Sequence, residues 1–127
     1  MSPDPLLPKR FLRPCLLLLL REQPSHGYEL LDRLQRFGFE RDDPGGLYRA
    51  LRALERDGLV RGAWEPSSDG PQRRIYELTR LGTERLHADA KALARTRSTI
   101  DGFLSRYGEF VSLSAVDAPV ASSTRAS

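Results

Sequence analysis

Apolar and polar positions along the chain fall into blocks of different period. Cys15 to Leu20 is an unbroken apolar run between Pro14 and Gln23-Pro24, which predicts a short helix from Cys15 to Glu22 buried on nearly all sides. Tyr28, Leu31 and Leu34, with Leu30 beside them, have the helical spacing of a core stripe and predict a second helix from His26 to about Phe37. Ser25 is placed to cap it and Gly38 to stop it. After the polar segment FERDDPG at 39 to 45, Pro44 pre-sets a third helix that Gly58 terminates. At roughly 100° per residue, Leu47, Ala50, Leu51 and Leu54 fall on one side of it, and Tyr48, Arg49, Arg52 and Arg56 on the other. Two helices joined by a short turn, the second carrying a basic stripe, form a helix-turn-helix.

Beyond Gly58 the period shortens to two. Leu59 to Glu65 and Gln72 to Leu78 read as strands flanking Pro66-Ser67-Ser68-Asp69-Gly70-Pro71, a run of turn formers, so a hairpin follows the helix-turn-helix as the wing of a winged helix. Thr79 is placed to cap a final helix from near Arg80 to about Phe110, roughly 45 Å long at 1.5 Å per residue. Leu86, Ala90, Leu93, Ile100, Leu104, Tyr107 and Val111 share one heptad frame on it, broken only by Arg97. A stripe of that length calls for a partner helix, and a symmetric homodimer supplies one; the alternative is a monomer in which the helix folds back over the first three. The expected organisation is an N-terminal arm at 1–14, rich in proline, a winged helix-turn-helix at 15–78, a dimerisation helix at 79–111 and a disordered tail at 112–127. The fold class is mainly α with a small β-hairpin.

Charge sharpens the reading of the third helix. The 127 residues hold 20 basic and 17 acidic side chains, and only Lys9 and Lys91 are lysines. Arginine presents a planar fork that pairs two acceptors at once, as on guanine or a phosphate, so the stripe of Tyr48, Arg49, Arg52 and Arg56 has the parts of a DNA recognition helix. A solvated arginine face, or a GC-rich genome, would give a similar composition. Arg73 and Arg74 leave the wing's turn where they can reach phosphate or a minor groove, or stand as ordinary surface arginines.

Other classes of function fit poorly. His26 and His87 lie in separate helices with no cysteine or carboxylate cluster at ligand spacing, so no metal or cofactor is expected. No glycine-rich phosphate loop follows a strand and no nucleophile has an evident base, which speaks against an enzyme. Cys15 is the only cysteine and reads as a small buried residue. The run from Cys15 to Leu20 is too short for a signal peptide or a membrane span, so a cytoplasmic protein with no membrane partner is expected.

With HGYEL at 26 to 30, PGGLYRALRALERDGLV at 44 to 60 and GPQRRIYELTRLG at 70 to 82, the chain resembles the PadR family of bacterial transcriptional regulators over about residues 11 to 112. Within it, FLRPCLLLLLRE, FGFE and STIDGFLSRY are most similar to the polyhydroxybutyrate-responsive repressor subgroup. The resemblance implies a homodimer joined through the C-terminal helix that represses promoters until a small-molecule or polymer effector or a stress signal weakens its grip on DNA. It places Gly46, Tyr48, Arg49 and Arg52 at DNA-facing positions and Arg73 and Arg74 on the wing. Family members often carry Thr or Ser at the position of Gly46, a helix cap this chain lacks there, and many carry Pro where this chain has Arg49. The expected function is sequence-specific repression on an inverted-repeat operator in double-stranded DNA. The alternative is a winged-helix module that binds a protein or granule surface without reading DNA, with Trp64, Phe103, Tyr107 and Phe110 as its apolar contacts.

Overall fold

The computed structural model describes residues 6–8, 10–40, 43–66, 70 and 72–114. The elements are α1 (Leu12–Glu22), β1 (Ser25–His26), α2 (Gly27–Leu34) continued by a 3-10 turn (Gln35–Phe37), α3 (Pro44–Arg56), β2 (Val60–Glu65), β3 (Arg73–Leu78) and α4 (Arg80–Ser114). The chain divides into two compact units, Met1–Ala90 and Lys91–Ser127, and α4 contributes to both.

The first unit is built on leucine. Leu16, Leu17, Leu30, Leu34, Leu47 and Leu51 are fully buried, joined by Leu19, Leu20, Leu31, Leu54, Leu59, Val60 and Tyr76. Each such side chain contributes about 1.5–3 kcal/mol by leaving water. Cys15 lies in the same core, and burial pushes its thiol up to about 12, so it stays protonated and inert at neutral pH. Helix α1 starts three residues before Cys15: Phe11 is already helical, and Pro14 occupies the first turn, where a missing N–H has no acceptor to lose. The proposed arm therefore ends in helix, and its first five residues lie outside the described ones.

Two features of the α2 region depart from the sequence reading. Ser25 is not the cap: it is fully buried in β1, where its Oγ donates to the Gln23 carbonyl (3.2 Å) and accepts from Arg33 (2.6 Å). His26 takes the N-cap position instead, and Glu29 Oε1 reaches back to accept from its backbone N–H at 2.8 Å. That hydrogen bond is the main reason the Glu29 carboxyl sits below its usual range, with the imidazole and Arg33 adding to it. The buried stripe of α2 is Gly27, Leu30, Leu31 and Leu34, and Tyr28 stands outside it, exposed.

Helix α3 is stopped as expected. Gly58 takes the left-handed conformation at φ 78°, which lets Leu59 N–H reach back to the Leu54 carbonyl at 2.9 Å. The sheet has three strands rather than two, in the order β1-β3-β2, all antiparallel: Ser25 pairs Tyr76 and His26 pairs Ile75, while β2 pairs β3 from Val60↔Leu78 to Glu65↔Arg73. The tip of the hairpin, residues 67–69 and 71, lies outside the described residues. Thr79 caps α4, its Oγ1 accepting from Gly82 N–H at 3.0 Å and donating to the Gly58 carbonyl at 2.7 Å. Asp89 on α4 receives both arms of the Arg13 guanidinium from α1 (2.9 and 2.6 Å), which raises the Arg13 pKa further.

In the second unit, helix residues run to Ser114, four beyond the expected end at Phe110, and the proposed tail from 115 onward lies outside the described residues. Ile100, Phe103, Leu104, Tyr107 and Phe110 are all exposed, and the Phe103 and Tyr107 rings stack with centroids 6.5 Å apart.

Candidate nucleic-acid interface

Asp43 opens the basic helix. Its Oδ1 accepts from Gly46 N–H at 2.8 Å, and Pro44 follows at the first helical position. The cap missing from residue 46 is thus supplied three residues earlier. A Cβ on Gly46 would collide with the Asp43 carboxylate, so glycine here and aspartate there form one arrangement.

Leu47, Leu51 and Leu54 pin α3 to the core and Ala50 packs at its margin, which turns Tyr48, Arg49, Arg52 and Arg56 to the surface. Arg56 lies 3.5 Å from its neighbour Asp57, and Arg49 acts electrostatically on the Asp43 carboxylate, whereas Arg52 forms no salt bridge among the described residues. An exposed guanidinium that no salt bridge holds is available to base edges and phosphates. Tyr48 is more constrained: it is 37% exposed, and its ring lies so close to Gly27 that any Cβ there would overlap it.

The two wing arginines have different surroundings. Arg73 is exposed, donates to Tyr28 Oη at 3.0 Å and lies 5.9 Å from that ring's centroid. Arg74 faces inward, ion-paired with Glu55 of α3 and lying 5.3 Å from the Trp64 centroid and 5.9 Å from that of Tyr76. It joins the wing to α3, with its charge already answered by Glu55. His26, Gly27, Tyr28, Tyr48, Trp64, Arg73, Arg74 and Tyr76 together line a cleft of about 340 Å³ where α2, α3 and the hairpin meet. Tyr28 and His26 have no site role in the sequence reading, where the HGYEL segment that carries them enters only through the family resemblance.

Of the positions assigned to a dimer face, Leu86 packs against the core of the first unit and Ala90 is exposed at its end. Leu93 is half-buried, and Ile100, Leu104 and Tyr107 are exposed beside Phe103 and Phe110, which the heptad frame left out. Among the described residues no group of three or more His, Cys, Asp or Glu could hold a metal, and no helix is long and apolar enough to cross a membrane.

A winged helix whose third helix turns arginines outward from a leucine core is the architecture of DNA-binding transcription regulators. The chain belongs to the PadR-like family of transcriptional regulators, whose family model matches residues 16–88. Members are transcription factors, not enzymes. Transcriptional regulator Rv3488 of Mycobacterium tuberculosis is 41% identical over 68 residues, 54% of this chain and 62% of that protein, so the match spans less than two thirds of that relative. The PadR-like transcriptional regulator of Bacillus cereus superposes with a TM-score of 0.67 at 29% identity, over 76% of this chain and 93% of that one. A conserved protein solved as a potential transcriptional factor, TM0937, gives 0.70 at 33% identity, over 80% and 91%.

Proposed function

We propose that the protein is a sequence-specific transcriptional repressor that reads an inverted repeat as a homodimer. The observation that carries the reading is the outward face of α3: Arg49 and Arg52 are exposed, Arg52 with no salt bridge among the described residues, on a helix anchored by Leu47, Leu51 and Leu54. Tyr48, Arg56 and Gly46 complete that face, with Arg73 beside it on the wing and Arg74 positioning the hairpin. A dimer would present two such heads to half-sites about 34 Å apart, one duplex turn. Dimerisation is supported by the second unit, where Ile100, Phe103, Leu104, Tyr107 and Phe110 form an exposed apolar stripe. A DNA partner supports the expected cytoplasmic location.

Release by a small-molecule or polymer effector is carried over from the family resemblance, as a shift between two states with different DNA affinity. The finer likeness to polyhydroxybutyrate-responsive repressors rests on three sequence segments alone.

Fluorescence anisotropy on the protein's own upstream DNA and on scrambled duplex, repeated across salt, tests the reading. Nanomolar binding to the native fragment is expected, about 10³-fold or more tighter than to scrambled DNA, with a steep negative salt slope. Arg52→Ala is expected to weaken specific binding by about 1–3 kcal/mol. Equal binding to both duplexes would overturn sequence-specific reading, and no binding to either would leave the surface-interaction module in its place.

A further inference from the structure

The first turn of α2 grips both strands of the wing at one level. Glu65 and Arg73 are register partners, the last pair of the hairpin before its tip. His26 Nε2 lies 2.8 Å from Glu65 Oε1, while Tyr28 Oη accepts from Arg73 at 3.0 Å. The His26 and Tyr28 rings stack on each other at 5.5 Å, so the two grips form one assembly.

The chemistry of that assembly depends on a proton. Besides Glu65, the other ring nitrogen of His26, Nδ1, lies 3.1 Å from Glu29 Oε1. An ionised carboxylate only accepts hydrogen bonds, and neutral imidazole carries a single N–H. The neutral ring can therefore satisfy one of the two carboxylates and turns a lone pair toward the other. The imidazolium donates to both, in charge-assisted bonds. The charged groups around it are Glu29 from α2, Glu65 from β2 and Arg73 from β3 across the Tyr28 ring; Arg74, Tyr48 and Tyr76 form the rest of the cleft, with Arg74 neutralised by Glu55. The His26 backbone is paired with Ile75 in β1, which keeps the ring at this place.

We propose that His26 is a positioning residue for the wing, whose protonation locks Glu65 and with it the root of the hairpin, so that DNA is held more tightly below neutral pH than above it. The proposal rests on the DNA-reading function given above.

The chain has two histidines and one tryptophan, which makes the test specific. Anisotropy on the upstream duplex at constant ionic strength would be measured for the wild type, His26→Gln, Glu65→Gln and His87→Gln. The wild type and His87→Gln are expected to bind about five- to tenfold tighter at about pH 6 than at about pH 8, a modest two-state coupling. His26→Gln should lose that dependence, and Glu65→Gln, an exposed change on the wing that leaves α2 capped, should reduce it. Trp64, next to Glu65, gives a readout without DNA: its emission should titrate over the same range in the wild type and stay flat in His26→Gln. An unchanged pH slope in His26→Gln overturns the proposal, as does Trp64 emission that titrates regardless of His26. Titration of Trp64 through His26 in a protein that binds no duplex would uphold the clamp and reject the DNA reading.

Discussion

Gly27 and Tyr48 occupy one another's space: the ring of Tyr48 lies where a side chain on residue 27 would begin. The position is buried, and the atoms a Cβ would meet are the hydroxyl and two ring carbons of Tyr48, so the ring itself must shift. Gly27→Ala is expected to cost about 1–3 kcal/mol of stability through overpacking. It should also weaken DNA binding, because Tyr48 is displaced from the exposed face of α3. Urea unfolding and anisotropy on the same variant would check both, and unchanged values would show that Tyr48 has somewhere else to go. The same scale separates Arg73 from Arg74, adjacent in sequence and alike in chemistry. Strand alternation sends one outward to Tyr28 and the other inward to Glu55.

Within α3, stability and reading lie on opposite faces of one helix. Leu51 is 0% exposed, and Leu51→Ala is expected to lower stability by about 2–5 kcal/mol through lost burial and the cavity left behind. The neighbouring Arg52→Ala should leave the urea midpoint nearly unchanged while weakening DNA binding, and a large stability loss in Arg52→Ala would mean that the guanidinium has a structural partner. The α2 element shows where sequence periodicity misleads. Tyr28 lies three residues before Leu31 and was counted with the core stripe, yet Gly27 completes that stripe and leaves Tyr28 about a quarter turn away, exposed. A glycine carries no hydropathy, so its burial is invisible to a search for apolar side chains. Strand β1 was missed for a related reason: two residues are too few for alternation, and Ser25 and His26 join the sheet by backbone pairing to β3.

For the whole molecule, the leucine core accounts for the first unit by itself, whereas the described residues of the second form a helix segment with five large apolar side chains exposed. Phe103 is 66% exposed and Phe110 68%. Exposed apolar side chains at helical spacing support the proposed dimer face. Sedimentation of the wild type at micromolar concentration is expected to show a dimer, and Leu104→Arg to shift it to monomer by burying an unpaired charge. A wild-type monomer would remove both the dimer and the half-site geometry drawn from it.

The sequence by itself determined the helix-turn-helix, the hairpin, the glycine stop at residue 58, the Thr79 cap and the leucine face of α3, because each is written in local spacing or in a residue type with one conformational use. The exposed basic stripe followed from the same periodicity. What only the tertiary structure decided are the relations between segments distant in the chain: Arg74 paired with Glu55, Leu86 packed against the core, and His26 and Tyr28 gripping Glu65 and Arg73. A side chain's rotamer and partner depend on which elements pack beside it, and no local pattern carries that information.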